Sequence, residues 1–458
     1  MEIQTKREPQ KVFKLKKQFD VFLQSDWFIL AFAFFTAICW VLKIEYVFYL
    51  LVGVLSTYLF FSQNSLKPML VVFAYMFMAY SGKDAWSYMY FVFYLACGIF
   101  LATGIIYRFY MLYVTKTKFK QGKFLIPMLI AFLAVILGGL GYSGYNYTFH
   151  IELISVSLLF VFIYVIATNF IQEDIRSYLC KIFLGASIIL VIEMVSWFLE
   201  TTNVSTEVVQ NGVNLGWITG PGIAMIFTIS VIMMLYKASK HARYVFYYAL
   251  MATLCCFGVF LSYATNIFFI AGVAMFFAWV FGYIKAVKKN QYLGLSIGFM
   301  VGAISVFAFI LIFRPGILSL YKKLFLSQEG YFDEYRMAIK MIFEQPLFGC
   351  GFFAEQVDQN VLLKICDTPL QIMFSTGIIG LILFCYYYYS RFKIQTEYFS
   401  KYKMFAMIAI VVFEFYGLIE NMFLVIPLNI LILLVVVSCE KETSIAEKLH
   451  NKGEKLNV

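Results

Sequence analysis

Residues Ile182–Leu199 read IFLGASIILVIEMVSWFL, an 18-residue run that contains one ionisable side chain, Glu193. A run of this length with almost no charge is typical of a helix that crosses a lipid bilayer. Similar runs recur along the 458 residues, so we predict an all-α, polytopic membrane protein with about 14 (12–14) transmembrane helices. The predicted spans are 27–42, 46–61, 68–81, 88–107, 124–141, 151–169, 182–199, 217–236, 245–262, 266–284, 293–313, 369–389, 404–419 and 422–438.

The composition agrees with a membrane protein. Hydrophobic residues make up 62% of the chain and charged residues 14%, against roughly 45–50% and about 25% in soluble domains. This difference excludes a soluble multidomain enzyme. The nine cysteines show no CxxC or Cys/His spacing, and we therefore predict neither a metal site nor a redox cofactor.

The excess of positive charge indicates orientation. The net charge of +10 would suggest a nucleic-acid partner in a soluble protein, but in a membrane protein Lys and Arg accumulate in cytoplasmic loops. With the N-terminus inside, the inner segments hold 28 of the 36 Lys and Arg residues. We therefore predict that both termini face the cytoplasm and that no nucleic acid binds.

One long outer segment stands apart from the short connections. Loops of more than about 12–15 residues are usually functional or disordered, and six of the eight outer cations lie in this one. We therefore expect the chemistry to occur there. The predicted division is a basic cytoplasmic tail (1–26), eleven transmembrane helices (27–313), a large extracytoplasmic loop with short helices (314–366), three further transmembrane helices (367–438) and a cytoplasmic tail (439–458).

The second half of this loop predicts a helix over Phe332–Glu344. Asp333, Arg336, Lys340 and Glu344 are spaced by three and four residues, so they share one helix face. Two interpretations are open. The four side chains form surface ion pairs, or Arg336 and Lys340 bind a phosphate-bearing ligand that arrives from the bilayer.

The neighbouring segments bound this helix. Gln345-Pro346 is expected to end it, and Leu347–Gly351 to form a tight turn with close packing. Upstream, Ile317–Leu326 carries Lys322 and Lys323 and is typical of a short helix on the membrane surface.

Three sequence segments carry a resemblance to a known family. They are Arg336-(x3)-Lys340 leading to Pro346-Leu347-Phe348-Gly349-Cys350-Gly351, then Pro369-Leu370-Gln371-Ile372, then Thr376-Gly377-Ile378-Ile379-Gly380. Together they resemble the loop-to-helix signature of the O-antigen ligase and polymerase superfamily, which includes the Wzy-type polymerases of O-antigen and capsular repeat units.

The resemblance implies a metal-independent glycosyltransferase of the bacterial cytoplasmic membrane. Such an enzyme would join oligosaccharide repeat units that are carried on polyprenyl pyrophosphate, with no cofactor. Its expected surroundings are membrane lipid, a flippase and a chain-length regulator. Two departures matter: Cys366 and Asp367 stand where ligases have a His-Asn pair, and Thr265-Asn266 where the family often has Ser-Arg.

The resemblance also implies roles for individual residues. Arg336 would neutralise the pyrophosphate, followed by Arg314, which could equally be an ordinary interfacial side chain. Lys340, Lys322 and Lys323 would support them, although anionic lipid headgroups explain these lysines equally well. Asp367 or Glu334 would accept the proton of the attacking hydroxyl, and Gln371 and Asn266 would contact the substrate.

Ionisable residues inside the predicted spans complete the set of candidates. Glu193 and Glu414 lie at similar predicted depth, which permits a shared polar cavity; buried neutral carboxyl groups are the alternative. His150, at the outer start of the sixth span, is either a substrate contact or an interfacial residue. Competing functions are a glycan ligase with the same donor and a lipid-linked oligosaccharide flippase. The missing His counts against the ligase, and the long outer loop and the lack of an internal repeat count against the flippase.

Overall fold

The computed structural model describes residues 7–62, 65–80, 88–142, 147–200, 213–216, 218–240, 244–262, 264–287, 294, 296–302, 304, 331–351, 365, 367–423 and 425–451. Across these ranges the secondary structure is helical, apart from one isolated bridge between Asn214 and Thr219. The predicted all-α class is therefore confirmed.

The principal helices follow the apolar runs of the sequence closely. They are α1 (Arg7–Gln24), α2 (Asp26–Val41), α3 (Glu45–Ser62), α4 (Met69–Tyr75), α5 (Tyr88–Val114), α6 (Leu125–Leu137), α7 (Tyr147–Asn169), α8 (Arg176–Glu200), α9 (Gly220–Lys240), α10 (Val245–Leu261), α11 (Thr265–Val287), α12 (Tyr331–Glu344), α13 (Thr368–Thr396), α14 (Lys401–Gly417) and α15 (Ile426–Asn451). The predicted span 293–313 lies mainly outside the described residues.

Five of the described helices are long and apolar enough to cross a membrane. They are Glu45–Ser62, Ala96–Val114, Arg176–Glu200, Gly220–Lys240 and Thr368–Thr396. A sixth span results if Lys16–Gln24 and Asp26–Val41, which are bent by 83° to each other, are counted together. The chain is a membrane protein by this criterion, and the number of 14 crossings remains a prediction.

Helix α9 occupies the centre of the bundle. It is buried over its whole apolar length and packs against α8, α10, α11 and α14. Small residues bring its neighbours close: a Cβ on Gly258 would lie 2.6 Å from the Phe227 ring, and the Ser187 hydroxyl donates to the Ser230 hydroxyl at 2.8 Å. Close packing of small and hydroxyl residues is a common way to join helices in membranes.

Ionic contacts concentrate at one end of the bundle, which we call the charged end. The Lys123 ammonium lies 2.7 Å from carboxylate oxygens of both Glu397 and Glu447. Arg176 binds Asp174 at 2.9 Å and Glu442 at 2.6 Å. These contacts tie the connections before α6 and α8 to the ends of α13 and α15.

The opposite end is where α6, α12, α13 and α14 approach one another, and we call it the loop end. The Gly139 N–H donates to the Phe348 carbonyl at 2.8 Å, and the Asn421 amide donates to the Ile365 carbonyl at 3.0 Å. Backbone groups supply most of these bonds. Of the candidate functional residues that the structure describes, Arg336, Lys340, Asp367 and Gln371 lie here.

The N-terminal segment predicted as a basic tail contains helix α1. Its Leu23 is buried in the bundle, whereas Phe19, Val21 and Phe22 are exposed. Exposed apolar residues beside lysines are typical of a helix that lies along a membrane surface.

Candidate functional site

Helix α12 begins within one residue of its predicted start and ends where predicted. Ala338 and Ile342 are buried in a small apolar cluster with Cys350, Ile365 and Phe374. This cluster fixes α12 against α13. The amphipathic pattern of the sequence therefore decides which face of α12 turns outward.

Arg336 and Lys340 lie on the outward face and are exposed. Within the described part of the chain neither forms an ion pair, and the Lys340–Glu344 pair considered from the sequence does not form. The side chains of Asp333 and Glu334 lie outside the described residues, so their pairing with Arg336 stays a prediction. Two cations are thus presented without a described counterion.

Apolar side chains surround these cations. Ile339, Phe343 and Leu347 are exposed, and Phe343 retains 80% of its accessible surface. A helix that exposes both cations and large apolar groups suits the boundary between lipid tails and headgroups.

Helix α13 is interrupted at Gly377, where the backbone has φ 65° and ψ −167°. In a continuous helix, the N–H groups of Ile378 and Ile379 would donate to the carbonyls of Phe374 and Ser375. The interruption removes both bonds. Four backbone groups consequently need other partners.

The segment Gln345–Gly351 supplies all four partners. The Ile378 N–H donates to the Pro346 carbonyl at 2.9 Å, and the Ile379 N–H to the Leu347 carbonyl at 3.4 Å. In return, the N–H groups of residues 350 and 351 donate to the carbonyls of residues 374 and 375 at 2.8 and 3.1 Å. We call this arrangement the backbone exchange. Because an unpaired backbone group is very unfavourable in a membrane, the exchange is what permits the break.

Glycine is required on both sides of the exchange. Gly377 and Gly349 both have positive φ values, of 65° and 68°. A Cβ on Gly377 would lie 2.2 Å from the Leu347 carbonyl oxygen, and one on Gly349 would lie 2.4 Å from the Phe374 carbonyl oxygen. Both obstacles are backbone atoms that cannot rotate away. The tight, close-packed turn predicted for Leu347–Gly351 is therefore confirmed.

Asp367 caps the first half of α13. Its carboxylate accepts a hydrogen bond from the Leu370 N–H at 2.7 Å. Burial raises the pKa of this carboxyl above its ordinary value, and the Leu370 bond offsets part of the rise. A raised pKa makes a carboxylate a better proton acceptor, but the same contact is also an ordinary helix cap.

Gln371 is fully buried at the loop end. Its carbonyl oxygen accepts from the Ile365 N–H and from the Asn421 amide, each at 3.0 Å, and its amide donates to Ser375 at 2.8 Å. The bonds to Ile365 and Asn421 tie the segment before α13 to the connection between α14 and α15. The structure thus gives Gln371 a positioning role, and contact with substrate remains a prediction.

A cavity opens between the two halves of α13 and helices α6, α7, α14 and α15. Thr368 and Tyr388 both line it. In a straight helix these residues would be about 30 Å apart, so the break at Gly377 folds one half back towards the other. Both halves of α13 therefore contribute to the wall of the cavity.

The cavity contains a half-buried ion pair that the sequence did not reveal. Arg391 is 3% exposed and pairs with Glu414. The Arg391 guanidinium carbon lies 5.6, 5.2 and 5.5 Å from the ring centres of Tyr387, Tyr388 and Phe413. Arg391 lies within α13, which extends to Thr396 and so beyond the predicted end of that span at residue 389. The lone acid Glu414 in an apolar run was the available signal.

The other candidates either lie elsewhere among the described residues or fall outside them. Glu193 is fully buried on α8, its oxygens have no described hydrogen-bond partner, and it does not line the cavity with Glu414. His150 lies in α7 and Asn266 in α11, but their side chains are outside the described residues. Arg314, Lys322 and Lys323 fall outside the described residues altogether.

Cys350 is a packing residue of the loop end. Burial raises the pKa of its thiol to about 12, and Glu344 contributes to the rise. A thiol that stays protonated at neutral pH is a poor nucleophile. Its place in the apolar cluster with Phe374 explains it as a packing residue.

Comparison of the chain with protein-family models, with curated proteins and with solved structures finds no match.

Proposed function

We propose that this protein polymerises polyprenyl-pyrophosphate-linked oligosaccharide repeat units into a surface polysaccharide at the outer face of the bacterial cytoplasmic membrane. One observation carries the proposal. The segments that hold the family resemblance, Pro346–Gly351 and Thr376–Gly380, contact each other through the backbone exchange. Sequence segments that resemble one functional signature are therefore also one structural unit.

Arg336 is proposed to bind the pyrophosphate of the donor. It is exposed on an amphipathic helix, has no ion-pair partner among the described residues, and lies nearly three helical turns before the backbone exchange. Arginine stays protonated, and its planar group binds two phosphate oxygens at once. Lys340, one turn further along the same face, would add a second positive charge.

The proposed reaction needs little beyond positioning and charge. A sugar hydroxyl of one lipid-linked unit attacks the anomeric carbon of the other, the bond to pyrophosphate breaks, and polyprenyl pyrophosphate leaves with its electron pair. Positive groups stabilise the developing negative charge. Asp367 is the proposed acceptor of the hydroxyl proton, with Glu334 as the alternative, and no cofactor is required.

The contacts between connecting segments support the proposed orientation with both termini inside and about 14 (12–14) spans. Lys123, Arg176, Glu397 and Glu442 belong to segments predicted to be cytoplasmic, and they meet at the charged end. Lys43 and Glu200 belong to segments predicted to be outside, and they pair with each other at 3.2 Å.

A flippase of lipid-linked oligosaccharides is the second candidate. The observation that favours it is the break in α13, since transporters often place substrates at discontinuous helices. If the protein is a flippase, an inactive variant would no longer move the repeat unit across the membrane, and the lipid-linked unit would accumulate at the inner face. If the protein is a polymerase, an inactive variant would accumulate single repeat units at the outer face.

The test uses cells that lack the gene and are complemented with Arg336→Ala or Arg336→Lys. We expect both variants to abolish the polysaccharide ladder at unchanged protein level, because lysine cannot reproduce the two-oxygen contact. Lys43→Ala is the matched control: it also removes an exposed cation, but one that has a partner in Glu200. Normal ladders in both Arg336 variants would overturn the proposal.

A further inference from the structure

The cavity beneath the broken helix has a chemical character distinct from that of α12. Arg391 and Glu414 are the only Asp, Glu, Lys, Arg or His residues among the described residues that line it. Because they pair with each other, the cavity carries no net charge. An anion would have to compete with Glu414 for the guanidinium, so this is a poor site for pyrophosphate.

The remaining walls are aromatic and hydroxylated. Tyr387, Tyr388 and Phe413 surround Arg391, while Ser157 and Thr368 add hydroxyl groups. Aromatic faces with a few placed polar groups are typical of pockets for uncharged, partly apolar ligands. A sugar ring fits this description, since its C–H face can lie on an aromatic ring while its hydroxyls contact charged or polar groups.

A route into the cavity starts from the side of the bundle. A second cavity shares Thr368, Tyr388 and Glu414 with the first. It is also lined by Phe415 and Leu418, which are exposed on the outer surface of the bundle. In a membrane such an apolar surface faces lipid, so a ligand that reaches Glu414 this way would come from the bilayer.

We propose that the cavity formed by Arg391, Glu414, Tyr387, Tyr388 and Phe413 binds an uncharged sugar residue of a glycolipid that enters from the bilayer. Resting on the proposed function, this sugar belongs to one of the two lipid-linked repeat units. Arg336 then binds the phosphate part of a substrate, and the Arg391–Glu414 pair donates to and accepts from sugar hydroxyls at a separate place.

The experiment uses the purified full chain in phosphatidylcholine nanodiscs. Two photoreactive probes share one alkyl tail; one has a maltose headgroup and the other a phosphate headgroup. The concentration dependence of labelling gives the apparent Kd, and peptide mapping locates the label. We expect the maltose probe to label peptides of α13 and α14, and the phosphate probe to compete only weakly for them.

Three variants make the test specific. Tyr388→Leu should weaken binding of the maltose probe about tenfold by removing an aromatic face. Tyr389→Leu is the matched control, because this neighbouring tyrosine is 64% exposed on the same helix. This variant should bind the maltose probe as tightly as the wild type. Glu414→Gln should shift the preference from the maltose to the phosphate probe, because Arg391 loses its counterion.

The double variant Arg391→Gln with Glu414→Gln tests whether the result for Glu414→Gln comes from misfolding. It keeps the cavity neutral, so it should not gain binding of the phosphate probe. Equal effects of Tyr388→Leu and Tyr389→Leu, or a wild-type preference for the phosphate probe, would overturn the inference. Arg336→Ala separates the two proposals, because it should retain maltose-probe labelling while it abolishes polysaccharide ladders.

Discussion

The two ends of the bundle are held together by different chemistry. At the charged end, side chains on separate segments form ion pairs, such as Lys123 with Glu397 and Glu447. At the loop end, backbone groups exchange hydrogen bonds across Gly377. Side-chain pairs are individually weak and tolerate movement, whereas a backbone exchange permits only one geometry. The end that carries the candidate site is therefore the one with the less adjustable structure.

The largest effect is expected from Gly377→Ala. The new methyl group would meet the Leu347 carbonyl at 2.2 Å and would stabilise a left-handed backbone poorly. We expect a loss of at least about 3 kcal/mol in the free energy of unfolding, together with loss of activity. Denaturant unfolding in nanodiscs measures this.

The control for Gly377→Ala is a pair of helical glycines with open space around them, Gly98 and Gly272. Alanine at either position should be neutral or stabilising by up to about 1 kcal/mol, since alanine favours a helix. Similar losses in all three variants would contradict the special role of the backbone exchange.

The next largest change in stability is expected for one of two buried glutamines on α13. Gln371 has three hydrogen bonds at the loop end, whereas neither polar atom of Gln395, near the charged end, has a described partner. Gln371→Leu should destabilise the protein by about 2–3 kcal/mol because the Ile365 N–H and the Asn421 amide lose their acceptor. Gln395→Leu should be neutral or stabilising, and equal melting temperatures of the two variants would argue against this assignment.

A smaller effect is expected at the charged end. Lys123→Ala removes two partly exposed ion pairs and should cost about 1 kcal/mol or less. The difference from wild type should shrink at high salt. Burial lowers the pKa of Lys123, but its hydrogen bonds and ion pairs with the two glutamates outweigh burial and raise the pKa overall. The stabilisation from these ion pairs is therefore present at neutral pH and declines only as the pH rises above 10.5. A salt-independent loss of several kcal/mol would be inconsistent with this picture.

The smallest change in stability is expected for Asp367→Asn, because asparagine caps a helix about as well as aspartate, to within roughly 0.5 kcal/mol. The native pKa of Asp367 is raised, so the native state holds the proton more tightly than the unfolded state. Stability should fall as the pH rises from 3.8 through the raised value, and the variant should lack this dependence. Full polysaccharide ladders in the variant would remove Asp367 as the proton acceptor.

Much of the helical framework could be predicted from the apolar runs. The helix Tyr331–Glu344 and its end at Gln345-Pro346 were also predicted, because amphipathic spacing and proline are local signals. The break at Gly377 was missed: a glycine in an apolar run is compatible with a continuous helix, and the partners of the freed groups lie 24 or 32 residues upstream. The Arg391–Glu414 pair was missed for a similar reason, since only the fold brings the two helices together.

The backbone exchange also has a consequence for synthesis of the protein. Residues 346–351 leave the ribosome before residues 374–379, and Gly139, which binds Phe348, is made earlier still. The partners of the broken helix are therefore already synthesised when α13 emerges. Because these partners come first in the chain, the four backbone groups freed by the break do not have to wait for later residues before they can form hydrogen bonds.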